Sequence, residues 1–424
     1  MSERDVLKID VQSEIGELDA VLLHKPGAEV ENMTPQNAQR ALYSDILNLS
    51  IAQSEYEQVS SVLSGVSDVY YIEDLLIRVL QDEMTKETLI GKICVSENVT
   101  EYFDDLMDMS PKDLSRTLIE GLPAKINTLT AYLKDEYYAL YPLYNFYFTR
   151  DASVTIGNSA LICRMASKVR MRESLIMEAI YKSSGAFTCS IINAYDFHPG
   201  NNTIYMEGGD ILIARDDILL VGNGMRTSTQ GIDMLISRLL KNDPQRKRHI
   251  IVQQLPESPE SFIHLDMVFT LLDRDKCMVF EPLILNDYKY ETVHITLENG
   301  KVSKIRSVSS IPSVLKRLGM DLEPVICGGV ADEWNQEREQ WHSGANFFAF
   351  APGKVLSYAR NIYTLEEMNK HGFEIIPAKD VMAKKIDLKN GGKCVVTIEG
   401  SELPRGGGGA RCMTMPLSRK RVED

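Results

Sequence analysis

The chain has 424 residues and a formal net charge of −14. That length supports a large buried core and, taken alone, two or three domains. An apolar content of 44% and a charged content of 25% are ordinary for a globular enzyme. The acidic balance excludes a nucleic-acid binder, which needs a basic stripe where this chain offers only the short Arg419-Lys420-Arg421.

An acidic protein attracts cationic small molecules, though acidity also serves solubility alone. No apolar run approaches the ~18 residues of a membrane helix. The start, Met1-Ser2-Glu3-Arg4-Asp5, lacks the basic-then-apolar pattern of a signal peptide. The seven cysteines are odd in number and irregular in spacing, which argues against a disulfide framework and fits a reducing compartment. Six of them, Cys94, Cys163, Cys189, Cys277, Cys327 and Cys394, mostly keep apolar company and read as small buried hydrophobes. No Cys/His spacing suggests a metal site. The reading is a soluble, cytoplasmic protein.

In chain order, residues 18–24 read as a strand followed by Pro26-Gly27. Residues 72–133 read as helices only, with Ser110-Pro111-Lys112-Asp113 supplying an N-cap serine, a first-turn proline and an acid at the third position. A hairpin is expected over 151–165, turning at Gly157-Asn158-Ser159. Others are expected over 210–222 at Arg215-Asp216-Asp217, over 266–280 at Arg274-Asp275-Lys276, and over 345–358 at Pro352-Gly353-Lys354. Between them, 172–182, 229–241 and 364–370 have the apolar spacing of helices, the last with Thr364 as a candidate N-cap. The repeated scheme is hairpin, helix, strand. Similar intervals separate Asp151, Asp210 and Asp266, which suggests one unit used several times around an axis. The stretch 72–133 reads as a helical insertion in a mixed α/β body.

Each unit opens on polar residues: Asn145-Phe146-Tyr147-Phe148-Thr149-Arg150-Asp151, then Glu207-Gly208-Gly209-Asp210, then His264-Leu265-Asp266. In a radial repeat such positions converge, bringing Asp151, Glu207, His264 and Asp266 to one pocket with Cys412. His264 and Asp266, two apart, face the same side if they lie on a strand. An acid before a hairpin is also an ordinary turn residue, and His264 alone could be a satisfied core histidine. The other histidines, His24, His198, His249, His294, His342 and His371, lack such a setting. Near the end of the chain, Arg405-Gly406-Gly407-Gly408-Gly409-Ala410-Arg411-Cys412-Met413-Thr414-Met415-Pro416 places one cysteine after a glycine run that tolerates unusual dihedrals and close approach of a ligand. The neighbouring cation favours a thiolate. The plain alternative is a flexible tail that contains a cysteine. The run is not a phosphate loop, since no Gly-Lys-Ser/Thr follows.

Together these segments resemble the arginine deiminase family of guanidino-modifying enzymes. The resemblance also takes in Leu22-Leu23-His24-Lys25-Pro26-Gly27, Arg226-Thr227-Ser228, His264-Leu265-Asp266-Met267-Val268-Phe269 and Arg338-Glu339-Gln340-Trp341, and it spans nearly the whole chain. It implies a pentein-like, five-bladed α/β propeller: one catalytic domain, 1–424, carrying the helical insertion. It implies free L-arginine as substrate, citrulline and ammonia as products, and no metal or organic cofactor. By resemblance Asp151 and Asp266 hold the guanidinium, Cys412 attacks its carbon, His264 transfers protons and Glu207 orients His264. Arg170, Arg226 and Arg405 clamp the substrate carboxylate, and Asn145 and Phe148 line the pocket. Carboxylates match a planar cation rich in N–H donors, and arginine forks match a carboxylate. The chain departs from the family pattern in a longer glycine run, in Arg411 where some relatives have histidine, and in His342-Ser343.

Competing readings are a methylarginine hydrolase or amidinotransferase, against which the helical stretch and the arginine clamp speak. An unrelated amidase using Cys412, His264 and Glu207 would need oxyanion donors where this site offers carboxylates. A non-catalytic arginine-binding protein would have no need of Cys412 and His264. Neither nucleic acid nor membrane is expected as a partner, and homo-oligomerisation as a dimer or higher stays open.

Overall fold

The computed structural model describes residues 6–33, 43, 45–133, 137–196, 203–286 and 289–422. The start Met1 to Asp5 and His198 lie outside the described residues. Among the described residues no helix is long and apolar enough to cross a membrane. The seven cysteines are all free, and all are buried except the half-buried Cys189.

The architecture is mixed α/β. Four sheets begin with the expected hairpins. Ser153–Ile156 pairs antiparallel with Ser159–Ile162, Ile211–Arg215 with Ile218–Asn223, Phe269–Leu271 with Lys276–Val279, and Phe348–Ala351 with Lys354–Tyr358. In each, a parallel strand then joins the second hairpin strand: Ser190–Asn193, Arg248–Gln254, Glu323–Ile326 and Cys394–Ile398 respectively. Parallel neighbours need a crossover, and helices Met171–Ser183, Thr229–Asn242, Ile311–Arg317 and Ile362–Lys370 lie in those connections. The buried strands carry apolar residues on both faces, as in Ile218–Asn223, because helices and neighbouring sheets cover them.

The first sheet is built differently. Leu18–Leu23 finds its antiparallel partner not in a local hairpin but in Met415–Arg419, near the other end of the chain, and Asp68–Tyr71 adds in parallel. The expected turn at Pro26-Gly27 instead leads into the short helix Ala28–Glu31. This pairing brings the segment before Met415, with Cys412, against the start of the chain.

Other expectations are corrected in detail. The segment 72–133 is mainly helical, and Ser110 does cap Pro111–Glu120 by accepting from the Asp113 N–H. It also contains the strand Leu122–Pro123, paired with Tyr138–Leu140. Thr364 is no cap: its helix starts at Ile362 after Asn361. Its buried hydroxyl donates to Glu339 at 2.6 Å and accepts from the Gly328 N–H at 2.8 Å. The hairpin Thr292–Glu298 with Lys301–Val308, absent from the sequence reading, widens the third sheet.

Three apolar clusters meet where the hairpins begin. One holds Phe146 and Met206, a second Leu265 and Val268, the third Phe148, Met267 and Cys412. The loop bearing the glycine run is anchored to helix Leu49–Ser64 by the buried Glu55. Its carboxylate accepts from the N–H groups of Ser401, Glu402 and Leu403, the last at 2.9 Å. Glu55→Ala leaves buried N–H groups unpaired and should lower unfolding stability by at least about 2 kcal/mol. Urea unfolding monitored by circular dichroism reads this directly, and a loss under about 0.5 kcal/mol would contradict the anchoring role.

Candidate active site

Five of the sheets each bring one buried loop, immediately before a strand of their antiparallel pair, to a common place. Asp151 precedes Ser153–Ile156, Glu207 precedes Ile211–Arg215, and His264 and Asp266 precede Phe269–Leu271. Asn346 precedes Phe348–Ala351, and Cys412 precedes Met415–Arg419. His264 and Asp266 do not share a strand. His264 is extended, and a 3-10 turn, Leu265–Met267, follows it. The turn carries Asp266 towards the thiol, while Asp210 Oδ1 pins it by accepting from the Leu265 N–H at 2.9 Å.

The Cys412 sulfur lies 3.8 Å from Asp266 Oδ2 and 4.0 Å from Oδ1. His264 Nε2 sits 3.0 Å from Glu207 Oε2. On the other ring edge, His264 Nδ1 is 3.7 Å from Asp151 Oδ1. These last two atoms are buried and have no hydrogen-bond partner, which marks them as poised for something outside the chain. A cavity of about 30 Å³ connects them, lined by Asn145, Phe148, Asp151, Arg170, Arg226, Ile263, His264, Gly406, Gly407, Gly408 and Cys412.

The glycines are packing elements rather than a floppy tether. A Cβ on Gly406 would stand 2.0 Å from the Tyr147 hydroxyl, one on Gly408 2.5 Å from the Phe148 ring, and one on Gly409 2.6 Å from Asn346 Oδ1. Only Gly407 adopts a positive φ, of 83°. Asn346 ties the cysteine loop to the acid: its Oδ1 accepts from the N–H groups of Arg411 at 2.9 Å and Cys412 at 3.3 Å, and its Nδ2 donates to the Asp266 carbonyl at 3.0 Å. Sequence reasoning missed Asn346. The available signal was its place at the head of the fourth hairpin, the only local hairpin to which no site residue had been given.

The arginines expected to clamp a carboxylate take three different settings. Arg170 is buried and committed to acids. Its Nη1 lies 2.7 Å from Asp151 Oδ2, its Nη2 lies 2.8 Å from Glu173 Oε2, and its Nε also donates to Glu173. Arg226 stands at the cavity with Nη1 3.6 Å from Glu207 Oε1, its side chain 14% exposed. Arg405 differs from the expectation: it is exposed, ion-paired with Asp45, and absent from the cavity wall. The glycines that follow it take the wall position, and its own side chain turns outward.

Burial and charge set the protonation states. Burial raises the Cys412 thiol pKa, and the carboxylates of Asp266 and Asp151 raise it further. Burial alone would lower the His264 pKa, but Asp151 and the Glu207 hydrogen bond outweigh it and push it up to about 9. Burial would raise Glu207, yet Arg226 and His264 hold it down at about 2. Asp210, with burial dominant, rises to about 6. The site at neutral pH is therefore an imidazolium ringed by carboxylates, beside a neutral thiol.

One oxygen each from Asp151 and Glu207 and one nitrogen of His264 lie within 4.8 Å of one another, a spacing compatible with a metal ion. Glu207 Oε2 is already engaged by His264 and Asp151 Oδ2 by Arg170. The two remaining free atoms fall short of the three or four protein ligands that a metal site commonly uses. Asp151 Oδ1 suits a planar N–H donor better, while the protonated His264 Nδ1 is itself a donor.

The family model described as arginine deiminase matches residues 39–419. The arginine deiminase of Oenococcus oeni is 32% identical over 434 residues, covering 98% of this chain and 98% of that protein. That of Bacillus cytotoxicus is 33% identical over 440 residues, covering 98% and 99%. Among solved structures, the N-terminal domain of ArgZ, an arginine dihydrolase from cyanobacteria, superposes with a TM-score of 0.53 at 14% identity, covering 96% of this chain and 100% of that one. The amidinotransferase SxtG from Microseira wollei gives 0.51 at 12% identity, covering 99% of each. These two share the fold. By the family match and by identity over nearly its full length, the chain belongs to the arginine deiminase family, hydrolases that act on a C–N bond of a linear amidine.

Proposed function

We propose that this chain hydrolyses the guanidino group of free L-arginine to L-citrulline and ammonia through a thiouronium adduct on Cys412. The observation that carries this reading is the meeting of a thiol, an imidazole and unpartnered carboxylate oxygen in one buried cavity. A guanidinium is planar, cationic and rich in donors. Once Arg170 and Arg411 have taken the other oxygens, Asp151 Oδ1 is unpartnered and Asp266 Oδ1 faces the Cys412 thiol at 4.0 Å, where the bound guanidinium would be held.

The electrostatics favour a substrate-assisted start. In the free enzyme two carboxylates disfavour the thiolate. A bound guanidinium supplies the missing positive charge and lowers the thiol pKa, and the thiol proton passes to solvent. The thiolate then attacks the guanidinium carbon. His264, protonated at neutral pH, gives its proton to the departing nitrogen, and ammonia leaves. The neutral imidazole next takes a proton from water as it adds to the thiouronium carbon. Collapse expels the Cys412 thiolate, and the remaining O–H proton passes to it, leaving the urea group of citrulline and the neutral thiol. Glu207 holds the imidazole in place throughout. Arg226 is the cation assigned to the substrate α-carboxylate, Asn145 and Phe148 are cavity walls, and Arg170 orients Asp151.

We read the five sheets as blades of an α/β propeller forming one domain, with 72–133 as the helical insertion. In each, an antiparallel pair is joined by a helix and a parallel strand, the pair being a local hairpin in four and Leu18–Leu23 with Met415–Arg419 in the fifth, which supports this. Seven free thiols suit a reducing compartment such as the cytoplasm.

Incubation of the chain with L-arginine should yield citrulline and ammonia in equal amounts. Cys412→Ser should lower that turnover roughly 10³-fold or more, since a serine hydroxyl is far less acidic than a thiol. Near-normal citrulline from the variant would sink the covalent mechanism.

The pH profile tests His264. Its pKa is raised, so the protonated form is present below about 9 and lost as pH rises through it. The alkaline limb of kcat/KM should fall there. Glu207→Gln removes one of the groups that raise the pKa, so the limb should move to lower pH. An unmoved limb would mean that another group titrates.

Agmatine, which lacks the α-carboxylate, should be a poor substrate. Arg226→Ala should narrow the arginine–agmatine gap by about tenfold or more, mainly by weakening arginine. Equal wild-type turnover of the two substrates would remove Arg226 from the carboxylate site.

A further inference from the structure

Arg411, the residue beside the nucleophile, makes its strongest contacts behind the cavity. It is 1% exposed. Its Nη1 donates to Asp266 Oδ2 at 2.8 Å, and its Nη2 donates to the Ile211 carbonyl at 2.8 Å. Its Nε and Nη2 grip both oxygens of Glu14, each at 3.0 Å. Glu14 is itself fixed. It is 5% exposed, its Oε1 accepts from the Ile213 N–H at 3.1 Å, and its own N–H donates to the Ile213 carbonyl at 2.8 Å. The guanidinium therefore spans two carboxylates from distant parts of the chain, with the cysteine one peptide away.

We propose that Glu14 and Arg411 form a brace that positions Asp266 and Cys412 for attack on the substrate, making a residue near the chain start a positioning element of the reaction. The proposal rests on the reading of Cys412 and Asp266 given above. Three features make the brace specific. Arg411 occupies Oδ2 of Asp266, so Oδ1 is the oxygen presented to a guanidinium. The fork of Arg411 on Glu14 fixes the plane of the guanidinium, and through it the rotation of the Asp266 carboxylate. The backbone of Arg411 is held by Asn346, so side chain and main chain together set the Cys412 position. A lysine cannot reproduce this, because a compact ammonium does not bridge two carboxylates in a fixed plane. The other cations facing Glu14 are Arg150 and Arg419. Arg150 is buried with its Nε directed at the Arg411 carbonyl at 3.4 Å, so neither residue substitutes for the fork on Asp266.

The test uses the full-length enzyme and the variants Glu14→Gln, Arg411→Lys and their combination. Circular dichroism and thermal melts select those that fold. The brace predicts that kcat for L-arginine falls at least about tenfold in each single variant while KM changes less than about threefold, because the carboxylate end of the substrate is untouched. It also predicts that the double variant is no worse than the weaker single one by more than about threefold, since both changes break one device. Glu14→Asp should recover part of the kcat lost in Glu14→Gln. Unchanged kcat with only a lower melting midpoint, or losses that multiply in the double variant, would overturn the proposal. A readout without substrate separates this proposal from the reaction assignment. Iodoacetamide alkylation of Cys412, followed by peptide mass, should shift to higher pH in Arg411→Gln, which loses a cation beside the thiol. If wild-type enzyme gives no citrulline but the shift is present, the reaction assignment fails and the brace stands. If citrulline forms and the shift is absent, the brace fails.

Discussion

Charge buried without a partner is among the most costly things a fold can hold, and this fold concentrates five carboxylates around one thiol. Glu14, Asp151, Glu173, Glu207 and Asp266 are each no more than 5% exposed. Each is balanced by a cation from another part of the chain: Arg411 for Glu14 and Asp266, Arg170 for Asp151 and Glu173, Arg226 and His264 for Glu207. The acids and bases are nearly matched within the protein. At the cavity wall itself, Asp151 Oδ1 and His264 Nδ1 are left without a partner. A cationic ligand pairs with this oxygen by both charge and hydrogen bond, whereas a neutral amide offers the hydrogen bond alone.

The internal arginines also explain how such a pocket persists before substrate arrives. A guanidinium on Arg170 already sits against Asp151, and another on Arg411 sits against Asp266, each taking one oxygen and leaving one. The geometry required of the substrate is in this sense rehearsed by side chains of the same chemistry. Rigid partners reduce the reorganisation needed when charge moves during reaction. The glycine run has a matching role in shape. Its missing side chains let backbone lie against Tyr147, Phe148 and Asn346, so the nucleophile approaches the cavity on a packed surface.

Much of the fold was legible in local sequence. Turn chemistry at Gly157-Asn158, Asp216-Asp217, Asp275 and Gly353 marked four hairpins, because tight reversals demand particular residues wherever they occur. The family resemblance then singled out Cys412, His264, Glu207, Asp151 and Asp266, and these five lie together. What escaped depends on contacts between segments far apart in the chain. No local pattern announces that Leu18–Leu23 pairs with Met415–Arg419, nor that Glu14 reaches Arg411. Asn346 looks like any loop asparagine until the Cys412 loop is laid against it. Thr364 has the residue type of a cap but spends its hydroxyl on a buried glutamate. Arg405 was carried over from a motif, and spacing alone does not tell that its side chain turns to Asp45 and solvent while the glycines after it line the cavity.

The central claim is that this constellation performs nucleophilic chemistry through one cysteine among seven. The most direct measurement is mass spectrometry of enzyme mixed with L-arginine and acid-quenched within a turnover, followed by peptide mapping. The account predicts an adduct of the mass of arginine less ammonia on the peptide containing Cys412 and on no other cysteine, lost on longer incubation as citrulline appears. Citrulline formation with Cys412 unmodified at every time point, or an adduct on a different cysteine, would contradict it.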